Sequence, residues 1–189
     1  MDAMDQLALW LAGAPESFGV EQLANRVAEY PQTASALVRL LVRIETIEPA
    51  AALNEESLAY AALQGGDEHQ HWLANRPAVA AQPEGKIDFE RYGDQIKIRT
   101  RRPFAWNAID RALRDALFEA FSVAAADPEI VAVDWRAEGK AFSTGADLSE
   151  FGTTRDPARA HEIRMQTLPA IPLLQCGSKV HVHIHGACI

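Results

Sequence analysis

Cysteine is scarce: Cys176 and Cys188 are the two thiols in 189 residues. They build no disulfide framework, so the expected setting is a reducing, cytoplasmic one. Long hydrophobic runs are missing as well. Nothing approaches the roughly 20 apolar residues that cross a bilayer, and no membrane partner is expected. Positive charge is in deficit, with 18 Lys and Arg against 26 Asp and Glu and a formal net charge of -8. Nucleic acids and anionic lipid surfaces call for a basic field, and neither is expected as a partner. Met1-Asp2-Ala3-Met4-Asp5 has no basic residue, against expectation for a secretory signal. What is present, 48% hydrophobic and 23% charged residues, suits a globular chain with one core and some length to spare.

The first 76 residues read as helices. Leu7, Trp10 and Leu11 fall at helical spacing before Gly13-Ala14-Pro15, and Val20, Leu23, Ala24 and Val27 repeat it. Pro31 suits the first turn of a third helix, whose stripe is Leu37, Leu40, Leu41 and Ile44, with Pro49 just past its end. Leu58, Ala61, Ala62, Trp72 and Leu73 suggest a fourth region broken at Gly65-Gly66. A small bundle with apolar stripes as its core is the expectation. Residues 77–86, with two prolines and a glycine, read as a linker.

After the linker the period changes from helical to two. Ile87–Tyr92 and Gln95–Thr100 alternate around Gly93-Asp94, which predicts a β-hairpin. Asp110 suits the N-cap of a helix carrying Leu113, Leu117, Ala120, Phe121 and Ala124, ended by Asp127-Pro128. A strand at 131–135, a loop from Gly139 to Gly145, helices near 147–152 and 157–168 with breaks at Pro169 and Pro172, and a strand at 180–184 complete the order β-β-α-β-α-β. That order predicts an α/β fold preceded by an all-α region.

Gly139-Lys140-Ala141-Phe142-Ser143-Thr144-Gly145-Ala146-Asp147-Leu148 joins a strand to a helix start. Its small residues let a ligand approach the backbone, and unpaired N–H groups at such a turn suit an oxygen bearing negative charge. Taken alone, the run reads more readily as a tight turn. His181, His183 and His185 share one face of a strand; this is a metal geometry, although a packed strand face is the simpler reading. The two cysteines lack Cys-x-x-Cys spacing and read as structural, and Ser143 lacks a nucleophile-elbow context.

Arg102-Pro103-Phe104-Ala105-Trp106-Asn107-Ala108-Ile109-Asp110, followed by a helix and then by Gly139–Leu148, resembles the opening half of the crotonase, or enoyl-CoA hydratase/isomerase, family. The resemblance covers about residues 87–189 and implies a partial crotonase-like ββα core, the first half of a domain truncated at its C-terminal side. It implies an acyl-CoA enzyme of the hydratase or isomerase type, a lyase or isomerase. Ala146 would donate its backbone N–H to the thioester oxygen. Pro103, Ala105, Asn107, Ala108, Ser143, Gly145, Asp147 and Leu148 would line the substrate or CoA path, and Lys140 and Arg102 would meet CoA phosphates or remain solvated surface cations. The second donor would lie in the turn that Val180–Ile189 begins, just beyond Ile189, with the acid/base carboxylates further on. Trp106 departs from the family pattern and is expected to pack rather than to stack on an adenine.

The same resemblance implies no tightly bound cofactor and no metal, with coenzyme A entering as part of the substrate. It implies a homo-oligomer, a trimer or hexamer, with the C-terminal half supplied by a separate or cleaved chain. Two other readings stand beside it. One is a cofactor-independent aryl-acetyl-CoA dioxygenase of the same fold, whose helical extension is faintly similar to Glu56–Gly66. The other is a non-catalytic assembly subunit.

Overall fold

The fold is described from a computed structural model covering residues 19–77 and 82–189. The expected helix around Leu7, Trp10 and Leu11 lies outside the described residues. These residues divide into two compact units: those up to Arg76 together with Thr154–His161, and those from Pro77 to Thr153 together with Glu162–Ile189.

The first unit holds α1 (Val20–Glu29), α2 (Pro31–Ile44), α3 (Pro49–Gln64) and α4 (Asp67–Asn75). Pro31 and Pro49 each open a helix in the first turn, where a missing N–H is harmless. Pro49 therefore starts α3 rather than merely following α2. The inward faces differ from the expected stripes. In α2 the buried residue is Val38, while Leu37 is exposed. In α3 the buried residues are Ser57 and Ala61, while Leu58 is half exposed. Ser57 is tolerated inside because its hydroxyl lies 2.9 Å from Nδ1 of His161. At the start of α2, the N–H groups of Gln32 and Thr33 donate to the Glu68 carboxylate of α4, both at 2.8 Å. Burial pushes the Glu68 carboxyl up, but these bonds outweigh it and hold it below the ordinary value.

The second unit is an α/β layer. β1 (Lys86–Tyr92) and β2 (Gln95–Arg101) form the expected antiparallel hairpin. β3 (Ala132–Ala137) lies parallel to β2, and β4 (Val180–Val182) parallel to β3. The sheet order is β1-β2-β3-β4. α5 (Arg111–Ala126) supplies the crossover and packs against the sheet, burying Leu113, Leu117, Ala120, Phe121 and Ala124 on Ile96, Ile98, Ile130 and Val133. Asp110 caps this helix through Leu113 N–H at 2.8 Å.

Further along come α6 (Pro157–Thr167) and α7 (Ala170–Cys176). Pro169 and Pro172 do not simply end a helix. Pro169 is the N-cap of α7 and Pro172 lies in its first turn, where the ring meets no preceding turn of helix. The expected helix at 147–152 is a single 3-10 turn, Leu148–Glu150. β4 is shorter than expected: after Val182 the His183 N–H still donates to Trp135 O at 2.9 Å, but the chain then leaves the sheet.

Candidate active site

The loop after β3 is held on both sides. On one side Phe142 N–H donates to His185 O and Ala187 O, and Ile189 N–H donates to Ser143 O. Gly186 makes this close pass possible. Its φ is +58°, and a Cβ there would sit 1.9 Å from the Lys140 carbonyl oxygen. On the other side, Ile109 N–H donates to Gly145 O at 2.8 Å and Asp147 N–H donates to Ile109 O at 2.9 Å. This is a one-residue parallel bridge between Ile109 and Ala146. Gly145, at φ +78°, turns its carbonyl into that bridge.

The bridge fixes where the Ala146 N–H points. In a trans peptide the C=O and N–H point opposite ways, so with the Gly145 C=O turned to Ile109 the Ala146 N–H of the same peptide group faces away. Ala146 is exposed, and its N–H donates to no group among the described residues. Asp147, one residue on, is buried.

The remaining expected site residues sort into two kinds. Pro103, Ala105, Ala108, Gly145 and Leu148 keep surface to offer, with Leu148 half exposed beside Ala146. Asn107, Ser143 and Asp147 act from beneath. Asn107 has no exposed surface, so its side chain does not meet a ligand. It accepts from Arg102 N–H and donates to Glu138 O and Ala141 O, both at 2.7 Å. Ser143 donates to Asn107 O at 3.0 Å and accepts from Gly145 N–H. These bonds tie the end of β2, the end of β3 and the loop into one support.

Arg102 and Trp106 also depart from their expected roles. Arg102 is 2% exposed and is neither a CoA-phosphate contact nor a solvated cation. It pairs inward with Asp147 at 2.7 Å and Asp110 at 3.3 Å. Burial pushes the Asp147 carboxyl up, but hydrogen bonds from Ser149 and the Arg102 guanidinium hold it below the ordinary carboxylate value. Trp106 does not pack. It is 54% exposed with φ +53°, a conformation rare for a bulky residue, and Asn107 beside it shares that φ. The Asn107 hydrogen bonds hold the pair there, and the Thr144 hydroxyl donates to the Trp106 main-chain carbonyl at 3.4 Å. Lys140 is exposed, as a phosphate contact requires.

The three histidines do not converge. His183 Nε2 bonds Asp134 Oδ2 at 2.8 Å, His185 Nε2 bonds Gly139 O at 3.0 Å, and His181 is exposed. Among the described residues no group of three or more His, Cys, Asp or Glu is placed to hold a metal. Cys176 is buried in the core and Cys188 is exposed, which corrects the structural reading of the second thiol. A concavity on the sheet face away from α5 is lined by Asp88, Glu90, Lys97, Ile98, Arg99, Asp134 and Arg136, and none of these belongs to the Ala146 loop.

A small-residue loop carrying an outward main-chain donor after a parallel strand is the arrangement seen here, and the chain belongs to the enoyl-CoA hydratase/isomerase family, whose model matches residues 90–189. Among solved structures, the chain is similar to a Mycobacterium abscessus protein assigned as an enoyl-CoA hydratase/isomerase, at 29% identity over 55% of this chain and 42% of that one, with a TM-score of 0.47. It is similar to an enoyl-CoA hydratase from Mycobacterium smegmatis at 29% identity over 53% and 40%, with a TM-score of 0.46. It is also similar to an enoyl-CoA hydratase/carnithine racemase from Magnetospirillum magneticum at 30% identity over 53% and 39%, with a TM-score of 0.45. The chain thus spans about two fifths of the length of these proteins.

Proposed function

We propose that the chain carries half of an oxyanion hole for an acyl-CoA thioester, with the Ala146 N–H as the donor. The observation that carries this reading is the outward N–H of Ala146, which has no partner among the described residues and shares a peptide group with the Gly145 carbonyl that Ile109 engages. A thioester carbonyl gains negative charge when a proton leaves its α-carbon or a nucleophile adds at its β-carbon. A donor already aimed at that oxygen stabilises the charge without reorganisation, typically by about 3–4 kcal/mol. Exposed Trp106, and Leu148 two residues after the donor, offer apolar surface for the body of the substrate. Lys140 offers a cation for a phosphate of coenzyme A. The reaction is of the hydratase or isomerase type, in a cytoplasmic homo-oligomer.

The reading is tested by titrating the isotopically labelled chain with acetoacetyl-CoA and following the Ala146 amide resonance. It should move in a saturable manner and stay put with free coenzyme A. Ala146→Pro removes the N–H and should lower kcat on an acyl-CoA substrate by about 100- to 1000-fold. An Ala146 resonance indifferent to the thioester would end the proposal.

A further inference from the structure

We infer that Arg102 is a positioning residue for the Ala146 N–H, acting through a clamp that closes on both strands of the Ile109–Ala146 bridge; this rests on the oxyanion reading above. One guanidinium nitrogen, Nη1, donates to Ala108 O at 2.9 Å and pairs with Asp147 Oδ2 at 2.7 Å. Ala108 precedes Ile109 and Asp147 follows Ala146, so a single atom grips the residue next to each member of the bridge. Nε donates to Pro83 O at 3.1 Å and lies 3.3 Å from Asp110 Oδ2. Asp110 in turn accepts from Gly85 N–H and Leu113 N–H, both at 2.8 Å, which fastens the clamp to the start of α5. Asp147 Oδ1 accepts from Ser149 N–H at 2.9 Å, so the carboxylate is held from both ends.

The arrangement has an electrostatic side. A carboxylate one residue from the donor would repel the oxygen the donor serves, and Arg102 neutralises it from beneath. A lysine preserves the charge but has no planar fork, so it cannot hold Ala108 O and Asp147 in the same geometry. A merely structural ion pair would set stability and leave the donor alone.

The test uses the full labelled chain and acetoacetyl-CoA, comparing wild type with Arg102→Lys. The inference expects the free Ala146 amide resonance to shift in Arg102→Lys and the thioester affinity to fall at least tenfold, while the resonances of Phe121 and Trp135 in the core stay in place. A lysine variant that is less stable but keeps the wild-type Ala146 resonance and affinity overturns the inference and leaves the oxyanion reading standing. A wild-type Ala146 amide that ignores the thioester overturns both. One readout needs no variant: the buried Arg102 Nε–H resonance of wild type should move with the same titration midpoint as Ala146, and a stationary Arg102 signal beside a moving Ala146 would overturn the inference.

Discussion

Arg102 shows how a single side chain can mislead a reading of sequence. Arginine is almost never fully buried unless paired, so an arginine at the mouth of a loop reads as surface charge. Here two aspartates far apart in the chain bring it inside. Breaking such a pair from one side leaves uncompensated charge, so Arg102→Met should lower unfolding stability by about 3–5 kcal/mol in urea melts. Asp147 makes a separate prediction about acid. Its carboxyl is held below the ordinary value, so its contribution to stability is in place above the unfolded pKa of about 3.9 and is lost as pH falls through the folded value. The unfolding midpoint should therefore decline with acid below about pH 4, and Asp147→Asn should flatten that decline. Trp106 was equally hard to read. An indole is ordinarily packing material, and only the left-handed pair it forms with Asn107 turns it outward.

At the scale of elements, α5 was legible almost to the residue. The cap Asp110 and the five apolar positions from Leu113 to Ala124 follow directly from helical spacing, because a long amphipathic helix repeats its signal several times. The hairpin was legible for the same reason at period two. Phe121 lies at the centre of this packing, against Trp135 at 5.3 Å between ring centroids. Phe121→Ala should cost about 3–5 kcal/mol, measured by chemical denaturation. Short elements gave less warning. β4 pairs over three residues, and α7 accepts Pro172 in its first turn, so neither repeats a pattern often enough to bound it. In the helical unit the capping of α2 by Glu68 crosses 35 residues of sequence, beyond any local motif. Glu68→Ala should lower the thermal midpoint of the helical circular dichroism signal.

At the scale of the whole molecule, chain order and spatial grouping part company. Thr154–His161 belongs to the helical unit although it follows most of the sheet, and His161 meets the buried Ser57 there. A periodicity reading has no access to such a return. A chain starting at residue 82 should therefore uncover the face that Thr154–His161 turns toward the missing helices, and should bind a hydrophobic dye such as ANS more strongly than the full chain. The acidic balance and the family both remained visible throughout, the second because the loop signature lies in contiguous residues, whereas the supports beneath it do not.

The working group proposed here is an amide of the main chain, and this has an evolutionary corollary. Every amino acid except proline supplies that amide, so position 146 would tolerate many small replacements. Selection would instead be felt at its silent foundations, Asn107, Gly145 and Gly186, where bulk or lost polarity displaces the donor. A comprehensive substitution survey of this chain would then show its deepest intolerance one layer below the chemistry.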